Sequence, residues 1–364
     1  MRARTLPAEM KVLTVVGARP QFIKAAPVSE ALRSRGIDEI LVHTGQHYDD
    51  SMSASFFDEL RLREPDHHLA VGSGGHGHQT GLMMQRLEPV ISAAQPDCTL
   101  VYGDTNSTLA GALVAAKLQI PLAHVEAGLR SNDRSMPEEL NRVMVDHVSD
   151  HLYCPSSVAV RNLAAEGIHS GVHVVGDVMY DVLLRETARL GEVNPVAQRS
   201  SVTEGYVLVT IHRPANTDDP QRFREIVAAL SALATTGTDV IWPVHPRARR
   251  LVEDMRELEA VRTVPPATYR ETLALLRDAR CVVTDSGGLQ KEAFWTGTPC
   301  ITVRPSTEWT ETVDLGWNML VEADRDAIVH AVGSAQPGHG DRTTYGDGRT
   351  ADRIADLVKH LAAA

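Results

Sequence analysis

Short aliphatic runs alternate along the chain with longer stretches whose apolar residues recur at helical spacing. VLTVVG (12–17) reads as a buried strand and IKAAPVSEALRSRG (23–36) as a helix ending at Gly36, since a brief apolar run between turn signals fits a strand and a 3.6-residue period fits a helix. EILVHTG (39–45) is a second strand. Helices are expected over 51–62 and 80–94, the latter leading into the strand CTLVYGD (98–104). STLAGALVAAKLQI (107–120) is helical, PLAHVEAG (121–128) a strand, PEELNRVMVDHVS (137–149) helical and HLYCPS (151–156) a strand. A long helix near 180–190 precedes a polar stretch, GEVNPVAQRSSVTEG (191–205), which reads as a linker.

The rhythm then restarts. YVLVTIH (206–212), DVIWPVH (239–245), RCVVTDSGG (280–288) and PCITVR (299–304) read as strands or strand-turn joints. PQRFREIVAALSALAT (220–235), TYRETLALLRDA (268–279), LQKEAFWTG (289–297) and the closing ADRIADLVKHLAAA (351–364) read as helices. Strands separated by helices imply βαβ units and parallel sheets. The expected fold class is therefore α/β: two Rossmann-like doubly wound domains with an interdomain cleft. The expected boundaries are 11–190, with the terminal helix 350–364 added, and 200–345. The segment 334–349 is loop-like and reads as a hinge or a crossover back to the first domain. Ligands of such sheets bind outside the carboxyl ends of the strands, so the cleft is the expected site.

Composition narrows the partners. The 364 residues suit two domains, and 43% hydrophobic with 23% charged is globular usage. Aromatics are only 4%, so the core should be aliphatic. A formal charge of −11 disfavours a nucleic-acid or anionic-membrane surface but leaves anionic small molecules, which local backbone donors and a few arginines can hold. The cysteines at 98, 154, 281 and 300 show no CxxC and no metal-ligand rhythm. Buried thiols in a reducing cytoplasm are the expectation. No apolar run reaches membrane-spanning length. The first ten residues lack the apolar run of a signal peptide and read as a disordered extension.

Candidate chemistry gathers at the predicted strand ends: GARPQFIK, TGQHYD, YGDTNST, HVEAGLRS, TIHRPANTDD, PVHPR and TDSGGLQKEA, with MPEELNR opening a helix. Any one of these could be an ordinary capped turn. Their recurrence at one edge of both sheets is what points to a site. Ser286, Gly287 and Gly288 open a helix whose free N–H groups can hold a phosphate. Glu292, one turn in, could accept from a pair of ribose hydroxyls, and Arg19 could meet the same anion. Asp104 and Glu126 end adjacent strands, Glu138 begins a helix, and His212 would face these acids from the second domain. Such a set suits proton abstraction from a weakly acidic carbon. Two patterns are set aside. Gly72-x-Gly74-x-x-Gly77 lacks the strand and the acidic residue of a dinucleotide fingerprint. The histidines at 67, 68, 76 and 78 read as solvated loop residues without the pairing of a zinc site, so no metal is expected.

In order from Lys11 to the end, the chain resembles the non-hydrolysing UDP-N-acetylglucosamine 2-epimerases, through GARPQFIKAAP, TGQHYD, YGDTNSTLAG, HVEAGLRS, MPEELNR, HRPANTD, PVHPR, TDSGGLQKEA and TEWTETV. The resemblance implies a two-Rossmann-domain architecture shared with GT-B glycosyltransferases, and a homodimer. It also implies epimerisation at C2 without a cofactor, by anti elimination of UDP to 2-acetamidoglucal and re-addition. Matching motifs make Asp104, Glu126 and Glu138 the acid/base candidates and bring His212 to the diphosphate. They also bring Ser286, Gly287 and Gly288 to phosphate, Glu292 to ribose, Arg19 and Lys24 to the substrate, and Tyr269 to the segment flanking uracil. Gln46, Arg213 and His245 match a second, regulatory nucleotide-sugar site. Departures are TEWTE for TERPE, which puts Trp309 in place of an arginine, HRPAN for HRREN or HRAEN, and His78 where a regulatory arginine is usual. GARPQFIK, YGDTNST and TEWTE are similar to the branch acting on UDP-2,3-diacetamido-glucuronate, which stands as the alternative substrate beside a secondary-metabolite UDP-sugar or a hydrolysing outcome. A retaining glycosyltransferase or a non-catalytic nucleotide-sugar sensor are the readings from other classes.

Overall fold

The computed structural model describes residues 10–46, 62–191, 194, 196, 202, 205–253, 255–340 and 342–361. The helix expected over 51–62 lies outside the described residues except for Leu62, as does all of the N-terminal extension but Met10. Much of the stretch read as a linker lies outside them too. The chain divides into two compact units. Unit 1 comprises residues through Val182 together with those from Thr343 onward, and unit 2 runs Leu183–Arg342.

Unit 1 holds strands β1 (Lys11–Val16), β2 (Asp38–His43), β3 (His67–His68), β4 (Cys98–Tyr102), β5 (Leu122–Val125), β6 (His151–Cys154) and β7 (Val172–Val174). Among the described residues they form one parallel sheet in the order β3-β2-β1-β4-β5-β6-β7. Chain order runs outward from β1 through β2 to β3, then resumes on the other side of β1 at β4. That reversal makes the carboxyl ends of β1 and β4 the topological switch point. The central strands are continuous buried, mostly apolar runs, Val12 to Val16 and Cys98 to Tyr102 among them, as expected where helices cover both faces of a parallel sheet. Helix Arg19–Ser34 follows β1 and helix Asn106–Lys117 follows β4. The latter starts where it does because the Thr105 hydroxyl accepts from Thr108 N–H at its first turn.

Unit 2 holds β8 (Val207–Thr210), β9 (Val240–Pro243), β10 (Arg262–Val264), β11 (Cys281–Thr284), β12 (Cys300–Val303) and β13 (Asn318–Val321). Their order is β10-β9-β8-β11-β12-β13, so the second switch point falls between β8 and β11. A core of Val207, Val209, Ile226, Leu230, Trp242 and Val283 fills one face of this sheet. Helix Pro220–Thr235 occupies the residues expected from its 3.6-residue period. Elements not expected from sequence include β3, β7, β10 and β13 and helices Ser157–Ala165, Pro214–Thr217, Pro246–Val252, Thr310–Asp314 and Arg325–Ser334. The helices are shorter than the window of about 11 residues over which a helical period is read, and none of these strands is a continuous buried apolar run.

Two sequence expectations are corrected. His67 and His68 are not loop residues but the two-residue edge strand β3, paired with Val42 and His43. His76 and His78 lie in the first turn of helix His76–Ala94, which begins four residues earlier than expected. Gly77 sits inside that helix, and Gly75 is its N-cap. No helix among the described residues is long and apolar enough to cross a membrane. Cys98, Cys154, Cys281 and Cys300 are buried free thiols, each pushed up to about 12 by burial.

Candidate active site

In unit 1 the register of β4 and β5 sets Tyr102 opposite Val125. The residues that follow, Gly103–Asp104 and Glu126, therefore leave the sheet side by side. Both turns are left-handed: Gly103 has φ 62° and Glu126 φ 73°. The second is costly for a residue with a Cβ, roughly 1–2 kcal/mol. It is held by local bonding, since the N–H groups of Glu126 and Ala127 both donate to the Tyr153 carbonyl, at 3.1 and 3.2 Å. The Glu126 carboxylate is ion-paired with the Lys24 ammonium, both groups nearly buried. Lys24 comes from helix Arg19–Ser34, so that helix and the end of β5 meet through this pair.

Asp104 is fixed from a different direction. Its carboxylate accepts from Arg142 Nη2 at 2.6 Å, and its carbonyl accepts from Asn141 Nδ2 at 2.8 Å. Both partners lie on helix Pro137–Val148. The other Arg142 amino group donates to Glu139 at 2.8 Å. Glu139 also accepts from the Ser131 N–H and hydroxyl and from the Asn132 N–H. Burial alone would raise the Glu139 carboxyl, but the Ser131 and Asn132 N–H groups, the Ser131 hydroxyl and the Arg142 guanidinium hold it below the usual value. Of the adjacent pair in MPEELNR, Glu139 is thus the buried structural acid. Glu138 is exposed in the first turn, making no side-chain hydrogen bond or ion pair among the described residues.

Arg19 stands exposed at the first position of its helix. Gln46 is buried, and its side-chain oxygen accepts from Ser107 N–H at 3.0 Å and from the Ser107 hydroxyl at 2.7 Å. That use ties it to the N-terminus of helix Asn106–Lys117. Within unit 1, then, Lys24, Glu126 and Asp104 gather at the β4–β5 edge, Glu138 and Arg19 lie exposed, and Gln46 is engaged in the fold.

Unit 2 is organised around Asp285, which the sequence reading passed over although it sits in TDSGG. Its fully buried carboxylate accepts from the N–H groups of His212 and Arg213, from Asn216 Nδ2, and lies 3.2 Å from His212 Nδ1. Burial raises its carboxyl, but the hydrogen bonds and charge of His212, with Arg213 and Asn216, outweigh this and hold it below the usual range. With Nδ1 of the half-exposed His212 ring turned to Asp285, the other nitrogen is the one that could meet a ligand. The His245 ring lies 5.3 Å from it, centroid to centroid.

The Ser286 hydroxyl accepts from Leu289 N–H at 3.4 Å and starts helix Gly287–Thr296 immediately after β11. A Cβ on Gly287 would lie 2.7 Å from a Glu308 oxygen and 3.7 Å from Arg213 Nη2, whereas one on Gly288 would meet nothing within 4 Å. Gly287 is thus required by crowding, while Gly288 keeps the helix start open. Glu292 is buried on the same helix. Tyr269 is half-buried at the start of helix Tyr269–Asp278. Trp309 covers a neighbour the sequence reading missed: Lys291, itself buried, places its ammonium 3.7 Å from the Trp309 ring centroid, a cation–π contact. Buried Arg304 donates to Glu308 at 3.0 Å. His212, Arg213, His245 and the Ser286–Gly288 turn therefore cluster at the β8–β11 switch point. Arg142, Asp285 and Lys291 could have been found as the charged residues one or four positions from recognised ones; nothing in the spacing distinguishes them from surface charges.

Comparison with known proteins adds four findings. The family described as UDP-N-acetylglucosamine 2-epimerase matches residues 30–359. The UDP-2,3-diacetamido-2,3-dideoxy-D-glucuronate 2-epimerase of Pseudomonas aeruginosa is 46% identical over 358 residues, covering 97% of this chain and 100% of that protein. The crystal structure of Methanocaldococcus jannaschii UDP-GlcNAc 2-epimerase in complex with UDP-GlcNAc and UDP superposes with a TM-score of 0.86 at 39% identity, covering 96% of this chain and 100% of the other. In fold alone, a spinosyn rhamnosyltransferase is similar, at 15% identity and a TM-score of 0.56 over 97% of this chain and 98% of the other.

Proposed function

The chain belongs to the UDP-N-acetylglucosamine 2-epimerase family, and from that premise we propose that it is an isomerase interconverting UDP-GlcNAc and UDP-ManNAc. A carboxylate removes the C2 proton, the C2–H electron pair becomes the C1=C2 bond of 2-acetamidoglucal, and the C1–O pair leaves with UDP. Re-addition of UDP at C1 and protonation of C2 on the opposite face complete the inversion. The observation that carries this reading is the pair of acids at one strand edge, Asp104 held by Arg142 and Glu126 by Lys24. Two proton-transfer groups are needed, one for each face. We assign these roles to Asp104 and Glu126 with Glu138 as the third candidate, its exposure leaving it accessible to substrate.

Departure of UDP needs anion stabilisation where charge develops. We assign that to His212, whose ring is oriented by Asp285, and to the N–H groups at the Ser286–Gly288 helix start. Glu292 takes the ribose, Tyr269 flanks uracil, and Arg19 and Lys24 complete the substrate contacts. Arg213 and His245 remain the candidates for a second nucleotide-sugar site, while the engagement of Gln46 with Ser107 favours a structural role there. The four buried thiols support a cytoplasmic location, and we take the working form to be a homodimer, to be read by light scattering.

The decisive experiment is NMR of UDP-GlcNAc with the pure protein in D2O. Deuterium entering C2 of both epimers supports the elimination route; turnover without C2 exchange would overturn it, and steady accumulation of free UDP would mark a hydrolysing enzyme. The relationship to the P. aeruginosa enzyme favours one second reading, a UDP-2,3-diacetamido-2,3-dideoxy-glucuronate substrate. Relative kcat/KM on the two nucleotide sugars decides between them.

A further inference from the structure

We infer that His124 is a positioning residue of the epimerase site, one ring that brackets both acid-bearing turns of unit 1. This rests on the proposed epimerase reading for its kinetic consequence, and on the structure alone for its geometry. His124 lies on β5, is fully buried, and pairs with Val101 across the β4–β5 ladder. Its Nε2 is 2.7 Å from the Gly103 carbonyl oxygen, in the residue before Asp104. Its Nδ1 is 2.7 Å from an oxygen of Asp146. The second Asp146 oxygen accepts from the N–H of Gly128, two residues after Glu126, at 3.1 Å. One imidazole therefore holds the turn entering Asp104 directly and the turn leaving Glu126 through a single carboxylate.

Both partners of the ring are acceptors, so the ring can donate to each at once only as an imidazolium. Such a buried charge needs compensation. Asp146 supplies it, and Arg130 continues the network: its Nη1 donates to Asp146 at 2.7 Å, and its Nε and Nη2 grip Glu166 at 2.6 and 2.7 Å. Two cations thus face two anions, with charge-assisted bonds throughout. The network matters because of what lies beside Gly103. A Cβ there would lie 3.3 Å from the Glu126 carboxylate oxygen and 3.7 Å from the Lys24 ammonium. The backbone held by His124 thus has the Glu126–Lys24 pair within a side-chain's reach and Asp104 as its next residue, so a loosened Gly103 carbonyl would move the two acids relative to one another.

The test is His124→Gln. A glutamine can donate to Gly103 from its amide nitrogen, but then turns its oxygen toward the Asp146 carboxylate, and the repulsion breaks the bracket. The expected result is a fall in kcat of about 10²-fold, the scale of a 1 Å misplacement, with KM and UDP affinity within about threefold of wild type. Adding Asp146→Asn supplies an amide donor to the new glutamine oxygen while its own oxygen still faces Gly128 and Arg130. The double variant should recover at least tenfold of the lost kcat. A role in folding alone would lower UDP-binding capacity and turnover together and would give no such rescue. Wild-type kcat in His124→Gln, a loss matched by the loss of UDP-binding sites, or no recovery in the double variant each overturns the inference. A 15N spectrum of the His124 ring at neutral pH, taken without substrate, should show both nitrogens protonated; a single protonated nitrogen overturns the inference as well. Because that spectrum needs no turnover, a wild-type protein inactive on UDP sugars would count against the epimerase reading alone.

Discussion

Next to the β1–β4 switch point of unit 1, at the carboxyl ends of β4 and β5, the candidate functional atoms are side-chain ions held in pairs, Glu126 with Lys24 and Asp104 with Arg142. At the β8–β11 switch point of unit 2 they are backbone donors at a helix start beside one oriented histidine. The topology is the same in both places and the material differs. Paired ions hold carboxylates ready for proton transfer, at the cost of desolvating them. Backbone N–H groups offer fixed partial charge without a titrating group, which suits an anion that is held or released without being protonated. The roles proposed above give unit 1 the proton transfers at carbon and unit 2 the leaving group. Substitutions that strip a side-chain function should therefore damage turnover in unit 1 and binding or stability in unit 2.

The largest effects are expected from Asp104→Asn and Glu126→Gln. Each removes one proton-transfer group and should lower kcat by about 10²–10⁴-fold. UDP affinity, read by titration calorimetry, should stay within about threefold of wild type. Full activity in Asp104→Asn would end its assignment as acid or base; a parallel collapse of UDP binding would dissolve the division of labour itself.

Next comes Asp285→Asn, which breaks the buried centre of unit 2. An amide cannot replace a carboxylate that accepts from three residues at once, and the loss should be about 3 kcal/mol in denaturant unfolding at neutral pH. The pH dependence has a definite sign. The carboxyl of Asp285 lies below its ordinary value in the folded protein, so its contribution is complete above about pH 4, the unfolded value. It fades as pH falls through the lower folded value. The gap between wild type and variant should therefore close in acid, and a gap that stays constant would show that packing, not charge, makes Asp285 important.

Much of this contrast was legible in the sequence, for uneven reasons. The long elements, helix Pro220–Thr235 and the strands beginning at Val12 and Cys98, carry enough periodic residues to be read directly. β3 is two exposed histidines and β13 has one buried residue in four, so neither shows the buried apolar run by which short strands such as β5, β8 and β11 are read. At the site, Asp104, Glu126 and His212 could be picked out since chemistry-bearing residues at strand ends are few. Asp285 and His124 could not: both are buried, and their importance lies in which backbone groups they hold. Glu138 and Glu139 are adjacent and chemically alike, and only burial separates an exposed acid from one locked to Arg142.

Gly287→Ala sharpens the backbone half of the comparison. The added methyl would sit 2.7 Å from a Glu308 oxygen. Glu308 is buried and bonded to Arg304, so it cannot swing clear without breaking that bond. The helix start should shift, weakening UDP binding by 10–100-fold, or about 1.4–2.7 kcal/mol. Gly288→Ala, whose methyl meets open space among the described residues, is the control and should fold normally. Equal losses from the two would mean that any bulk at the helix start excludes the ligand, rather than that Gly287 sets its geometry.

The smallest effects come from one piece of chemistry placed in both units. Thr105 and Ser286 each cap the helix that leaves a switch point, and in each the hydroxyl accepts from the N–H three residues on, at 3.4 Å. They share that cap bond, although Thr105 also meets the Thr108 hydroxyl at 3.2 Å, and Thr105→Ala and Ser286→Ala should each cost about 1 kcal/mol, a fall in Tm of about 2–4 °C for units of this size. Their ligand effects should differ. Thr105 starts a helix whose N-terminal Ser107 is already taken by Gln46, so Thr105→Ala should leave UDP affinity unchanged. Ser286 starts the helix to which the diphosphate is assigned in the proposed reading, so on that reading Ser286→Ala should weaken UDP severalfold beyond the stability loss. Two caps equal in stability and unequal in affinity would locate nucleotide binding in unit 2 with the fold cost held constant; two caps with the same affinity effect would mean that the helix start of unit 2 is only a helix start.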